Sequence, residues 1–220
     1  MMAGRFAGRD HLITVDNPQA LDFAAGSFTI ELSIRVDNFI GIDAPVEGIR
    51  ILGDEQLADA DCYPSMAYWV FGVNPSGFPV FELGGQAGQT VTVRIYTATT
   101  AVATNTWAHV AMVVDRTAGE VILYVDGALA GTTPIVASTV TNMCTFRLST
   151  HHNPFSGELD EVRLWSRSRS AAELASEQLI SLSGCEPGLA AYWPFETDVD
   201  DHGPSRLPAS VRGTVPLVAR

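Results

Sequence analysis

The sequence predicts an all-β chain, a β-sandwich of two antiparallel sheets with one short surface helix, and three observations carry that reading. Residues 28–36 read Phe-Thr-Ile-Glu-Leu-Ser-Ile-Arg-Val, apolar at every even position and polar or charged between, which is the period of a strand with one buried face. Many further short apolar runs follow, punctuated by Gly, Pro, Asn and Asp. Only one segment has helical spacing, so strands do not alternate with crossover helices as they would around a parallel sheet.

In chain order, strands are expected at 12–15, 28–36, 49–52, 67–73, 78–83, 91–96, 107–115, 120–125, 128–132, 146–149, 159–165 and 189–195, each a short run rich in β-branched and aromatic residues. Within them Tyr68, Trp69, Phe71, Phe78 and Phe81 fall at strand spacing and read mostly as core. Strands 107–115 and 120–125 form a hairpin joined by Arg116-Thr117-Ala118-Gly119, with Val121, Leu123 and Val125 on one face. Asp126-Gly127 is a tight-turn dipeptide that leads into the third strand. The helix spans 170–182. Ser170 is its N-cap, Glu173 the capping-box partner, Leu174, Ala175, Gln178 and Leu179 keep helical spacing, and Gly184 ends it.

The 220 residues are 46% apolar and 17% charged, enough core material for one folded domain over residues 1–220. All 13 basic residues are arginine, against 25 acids, for a net charge of -12. The one basic cluster, Arg163, Arg167 and Arg169, lies beside acids, so nucleic acid is excluded as a partner. No run of apolar residues is long enough to span a membrane, and residues 1–9 do not read as a signal peptide, which leaves the compartment open. Cys62, Cys144 and Cys185 form no metal or redox pair and read as small buried thiols, with a single bridge left open if two of the three meet.

Several segments in order resemble the laminin G-like, pentraxin-related domains of the concanavalin A-like lectin/glucanase superfamily. They are Arg5-Phe6-Ala7-Gly8-Arg9-Asp10-His11-Leu12, Ala20-Leu21-Asp22-Phe23 with 27–31, the 107–127 hairpin, and above all Glu158-Leu159-Asp160-Glu161-Val162-Arg163-Leu164-Trp165 followed by Arg169-Ser170-Ala171-Ala172-Glu173-Leu174. The resemblance implies a jelly-roll sandwich. It also implies a permuted order, because 186–195 is similar to the strand with which many family members begin, so that the segment from about 186 to 220 would complete the sheet beside the first strand. Ser33 stands where relatives often carry tryptophan. The pentraxin-like calcium loop corresponds to His151-His152-Asn153, which lacks carboxylates.

Three constellations could carry chemistry. Glu158 and Asp160 flank Leu159 on a strand and share a face, roughly 7 Å apart, and resemble the E-x-D-x-x-E arrangement of the glucanases that share this fold, which would imply a glycosidase, but Arg163 occupies the third acid's place and strand parity points it to the other face. Read structurally, these carboxylates fasten a sheet edge. Asp54, Glu55, Asp59 and Asp61 form one acidic loop and Asp198, Asp200 and Asp201 another, the oxygen-rich kind of segment that suits a structural calcium ion. His151, His152 and Asn153, with Phe155 or Tyr63 stacking, offer sugar contacts, and His109 reads as a hydrogen-bonded structural histidine. The expected function is a non-catalytic, lectin-like binding module for carbohydrate. A structural or assembly protein contacting other proteins, as an oligomer or within a larger particle, is the alternative, and a glycoside hydrolase the third reading.

Overall fold

Strands organise the chain in the computed structural model, which describes residues 1–15, 18–23, 26–41, 48–54, 68–87, 90–135, 145–150 and 153–220; residues 28–36, expected to have one buried face, are buried on both, Thr29, Glu31 and Ser33 included. In order the strands are β1 (Met2–Ala7), β2 (Leu12–Val15), β3 (Phe28–Val36), β4 (Ile49–Asp54), β5 (Tyr68–Val73), β6 (Pro79–Ala87), β7 (Thr90–Thr97) and β8 (Trp107–Asp115). They continue with β9 (Glu120–Val125), β10 (Ala128–Pro134), β11 (Phe146–Leu148), β12 (Ser156–Trp165), helix α1 (Ala171–Glu177), β13 (Leu189–Trp193), β14 (Ala209–Arg212) and β15 (Leu217–Ala219). The sequence reading foresaw no separate β14 or β15, and its opening segment 5–12 holds the end of β1, a turn over 8–11 and the start of β2.

Two antiparallel sheets result. One has eight strands in the order β10-β9-β8-β3-β12-β1-β15 with β13 also on β12; the other has seven, β14-β2-β11-β4-β5-β6-β7. Alternation sends Ile30, Leu32 and Ile34 of β3, Val110 and Met112 of β8, and Val162 and Leu164 of β12 inward against Ile13, Leu52, Phe71, Phe81 and Phe146 of the facing sheet, all in one buried cluster. Aromatic rings bridge the layers: Trp69 lies 5.6 Å from Phe146, which lies 5.6 Å from Trp193. Each such side chain contributes about 1.5–3 kcal/mol relative to exposure, so the core is the main source of stability.

The predicted hairpin forms with Val110 opposite Val125, and its neighbour turn has positive φ at both Asp126 (50°) and Gly127 (74°), the pair that matches strand twist. Helix α1 starts as expected: Ser170 Oγ accepts the Glu173 N–H and Glu173 Oε2 accepts the Ser170 N–H at 2.8 Å. It ends at Glu177 rather than 182. Arg163 from the sheet below donates Nη1 to the Glu177 carbonyl at 3.0 Å and Nη2 to the Ile180 carbonyl, taking acceptors that another turn of helix would need.

The chain's last strands are divided between the sheets. β14 pairs with β2, Ser210 opposite Thr14, and β15 pairs with β1, Met2 opposite Ala219. β1 and β13 lie in tandem along β12, opposite 156–159 and 162–165 respectively. Cys185 is exposed, which corrects its reading as a buried thiol; Cys62 and Cys144 lie outside the described residues. Among the described residues no helix is long and apolar enough to cross a membrane.

Candidate functional site

On the outer face of the eight-stranded sheet, beneath α1, charge is buried rather than presented. Glu31, in mid-β3, is closed to solvent: Oε1 accepts from Arg169 Nη1 at 2.6 Å and Trp165 Nε1 at 2.8 Å, with Arg163 Nη1 at 3.7 Å, while Oε2 lies 3.2 Å from His109 Nε2. Burial alone would push its carboxyl up, but the His109 hydrogen bond and the charges of Arg163, His109 and Arg169 hold it below the usual range. A second knot adjoins: Glu161 accepts from Arg163 Nη2 at 2.6 Å, Tyr192 Oη at 2.8 Å and Ser181 Oγ at 2.9 Å, and burial pushes the Tyr192 phenol up. His109 is thus hydrogen-bonded as expected, but to a buried carboxylate that sequence reasoning passed over as one polar step in an alternating strand.

The expected glycosidase pair sits on this same sheet and is engaged. Glu158 and Asp160 do share a face. Glu158 Oε1 accepts from Arg35 Nη1 at 2.9 Å, with Arg5 Nη1 at 3.9 Å, and Asp160 Oδ2 accepts from Arg220 Nη1 at 2.6 Å. The parity placing Arg163 on the opposite face fails. Register runs Asp160 opposite Ser33 and then Arg163 opposite Glu31, so a bulge at Glu161, whose φ is 50°, inserts a residue and returns Arg163 to the face of Asp160.

The loop candidates lie at opposite ends of the seven-stranded sheet. His151 and His152 are outside the described residues. Asn153 is fully buried and its carbonyl accepts the Arg50 N–H at 2.9 Å, which fixes it near the start of β4. Phe155, expected to stack on a sugar, is instead core, fully buried with its ring 6.0 Å from Phe6. Asp54 closes β4 at the other end, roughly 13 Å along the strand; Glu55, Asp59, Asp61 and Tyr63 lie outside the described residues. That same end carries the second acidic run: Asp54 is opposite Phe146, Phe146 opposite Val15 and Val15 opposite Ala209, which lines one cavity with Asp200 and Asp201.

The second run does not converge as an ion site would. Asp201 is buried, with Oδ1 accepting the N–H groups of Tyr192 (2.8 Å) and Gly203 (2.7 Å) and Oδ2 that of Leu207 (2.8 Å), so its oxygens fasten a turn. Asp198 Oδ1 pairs with His202 Nε2 at 2.7 Å and also accepts the Asp200 N–H at 3.1 Å. Among the described residues no three His, Cys, Asp or Glu side chains gather to hold a metal.

What the sequence reading missed is the outer face of the seven-stranded sheet. One register row crosses every strand: Ser210, Thr14, Arg147, Gly53, Val70, Glu82 and Ile95. Thr14, Arg147 and Glu82 are each flanked by two residues of the core cluster, so alternation turns them outward. Arg50, opposite Gly72, reaches past that bare position to Glu82, Nη2 to Oε2 at 3.6 Å. The row is about 29 Å long at ~4.8 Å per strand. Its signal in the sequence was an arginine between two core residues, Phe146-Arg147-Leu148.

Comparisons with known proteins follow the architecture. A family model described as the concanavalin A-like lectin/glucanases superfamily matches residues 7–175. Among curated proteins none matches by sequence. Among solved structures, the chain is similar to a candidate carbohydrate-binding protein from Bacteroides ovatus at 22% identity and TM-score 0.73, covering 99% of this chain and 59% of that one, so it spans less than two thirds of that relative. A carbohydrate-binding module (CBM40) of the Ruminococcus gnavus IT-sialidase, bound to α2,3 sialyllactose, is similar at 17% identity and TM-score 0.57, covering 80% of this chain and 97% of that one. A heptameric pentraxin from Limulus polyphemus is similar at 13% identity and TM-score 0.55, covering 79% and 80%. At these identities the likeness shows the fold.

Proposed function

Because the chain belongs to the concanavalin A-like lectin/glucanase superfamily, we propose that it is a non-catalytic binding module whose ligand is a carbohydrate, held on the outer face of the seven-stranded sheet. The observation that carries this reading is the in-register row Thr14, Arg147, Glu82, with Arg50 beside it. Thr14 and the Arg50–Glu82 pair put a hydroxyl, a guanidinium and a carboxylate, each part-buried, on one rigid sheet face beside the buried Arg147, donors and acceptors of the kind that vicinal hydroxyls take, and strands position such groups better than loops. The sialyllactose-bound module and the Bacteroides ovatus protein, both of this fold, support the ligand class. The non-catalytic half rests on Glu158 and Asp160, whose carboxylates are spent on Arg35 and Arg220 instead of facing each other across a substrate.

A glycan array probed with the whole chain tests this. Binding is expected, reduced by Glu82→Gln and by Thr14→Val, neither of which removes a core side chain, and no shortened glycan should appear on long incubation. A blank array would sink the carbohydrate reading and leave the protein-contact alternative, while hydrolysis lost in Glu158→Gln would sink the non-catalytic one.

A further inference from the structure

Where the seven-stranded sheet ends at β14, a cavity of about 360 Å³ is lined by Asp200, Asp201, Arg206, Leu207, Pro208 and Ala209. That lies within the range of about 300–1,000 Å³ usual for small-ligand sites. Asp200 and Arg206 are both exposed and line the one cavity with opposite charges, yet among the described residues neither side chain has a hydrogen-bond or ion-pair partner. Elsewhere Arg5, Arg35, Arg163, Arg169 and Arg220 each hold a carboxylate. Asp201 does not serve Arg206, because the N–H groups of Tyr192, Gly203 and Leu207 fill its oxygens. The same bonds tie the chain on both sides of Arg206, whose own N–H is donated to the Gly203 carbonyl at 3.3 Å. So held, Arg206 takes a φ of 44°, a left-handed conformation that side chains rarely adopt and that persists where the surroundings over-determine it.

An unspent acceptor and an unspent donor lining one cavity suit a ligand whose neighbouring atoms both donate and accept, as vicinal hydroxyls do. Leu207, itself buried, adds with Pro208 and Ala209 an apolar surface for the C–H face of a sugar ring. An ionic ligand would gain less, because exposed ion pairs contribute little. The cavity also adjoins the outer-face row: Ala209 lines it, and the next residue, Ser210, is the row's last position, on the edge strand β14. We propose that this cavity is a subsite for the end ring of the glycan held along that row, an uncharged sugar whose vicinal hydroxyls bridge Asp200 and Arg206. The assignment rests on the reading of the row as a glycan site.

The test is a saturation-transfer NMR titration of the whole chain with methyl α-glucoside, methyl α-mannoside and methyl β-galactoside, and with glycine as a zwitterion that could take the two charges instead. At least one glycoside should bind, and glycine should not. Asp200→Asn and Arg206→Gln should each weaken that glycoside by about tenfold, the loss of a charge-assisted hydrogen bond, while the melting temperature stays that of the parent because both positions are exposed. Glu82→Gln and Thr14→Val, which alter the row alone, should leave it unchanged. No glycoside binding by the parent, equal binding by the parent and both cavity variants, or glycine bound as tightly as the glycosides overturns the proposal. Array binding that Thr14→Val weakens, with no glycoside bound, removes this subsite and keeps the row. A blank array with glycoside binding lost in Asp200→Asn removes the row, and with it the claim that the cavity holds the end of a chain.

Discussion

The indole Nε1 of Trp165 donates to the carboxylate of Glu31 across 2.8 Å, with neither side chain open to solvent. The same oxygen receives Arg169, whose guanidinium stacks 4.1 Å from the Trp165 ring, so β3, β12 and the segment leading into α1 meet at one atom. Neutralising that atom removes the anion that the buried Arg163 and Arg169 share, leaving each with one other carboxylate, Glu161 and Glu177. Glu31→Gln should therefore cost about 3–5 kcal/mol in urea unfolding, the range for breaking a buried ion network from one side. A loss under about 1 kcal/mol, ordinary for a surface change, would show that the network adds little.

Gly4 and Gly157 both sit on the β1–β12 seam, and they should differ. A Cβ on Gly4 would meet Phe195 Cδ1 at 2.7 Å, a ring edge able to shift a little. On Gly157 it would meet the Arg35 carbonyl oxygen at 2.3 Å, from a backbone with φ of 154° that side chains resist. Overpacking costs about 1–3 kcal/mol. Gly4→Ala should lie within that range and Gly157→Ala beyond it; chemical denaturation would give the order, and the reverse order would contradict the seam geometry.

Acid should act on the two sheet carboxylates with opposite sign. Burial pushes the Asp160 carboxyl up to about 6 although Arg220 lies 2.6 Å away. The folded state then holds that proton more tightly than the unfolded chain, so the stability it contributes is fully present below the ordinary value of 3.8 and lost as pH rises through about 6. Glu31 is held low, so its contribution is present above the ordinary 4.5 and lost as pH falls below it. Relative to Asp160→Asn, the parent should gain melting temperature between about pH 7 and pH 4, and both should then fall together. Parallel curves over that interval would remove Asp160 from the account.

The sandwich was legible because period-two alternation and turn dipeptides are local signals: Phe28–Val36 and Asp126-Gly127 each announce their geometry within a few residues. Arg163 was misplaced because parity counts residues, and one bulge at Glu161 reverses everything after it. Ser33 illustrates a second limit. A small residue where relatives often carry tryptophan suggested an altered face, and there Arg220 Nη2 lies 3.4 Å from Ser33 Oγ with its guanidinium 4.3 Å from the Trp107 ring, a partnership between residues 187 positions apart that no local pattern encodes. The Thr14–Arg147–Glu82 row was illegible for the same reason, since its members come from three separated strands. Phe155 read as a ligand contact because its loop neighbours are polar, yet one residue's turn toward Phe6 makes it core.

Calcium, expected from the acidic loops, should not act through the second of them. The ion selects six to eight oxygens, and a carboxylate already saturated by backbone N–H groups has little to offer it. Asp201 accepts three such bonds and Asp198 is paired with His202, so this turn is held closed by its own chain. Substituting Asp201 by alanine removes three acceptor contacts and leaves buried donors unpaired, which should lower the melting temperature by the same amount in chelator and in millimolar calcium. An ion that binds only the folded state adds RT ln(1 + [L]/Kd), about 2.7 kcal/mol at a hundredfold excess over Kd, so a real site would be visible as a gap between those two melting curves. Any such gap in the parent should persist in Asp201→Ala and vanish in the double variant Asp59→Asn, Asp61→Asn. A gap abolished by Asp201→Ala alone would mean that the Asp201 clamp opens to ligate the ion, and the closed turn described above would then be the ion-free state.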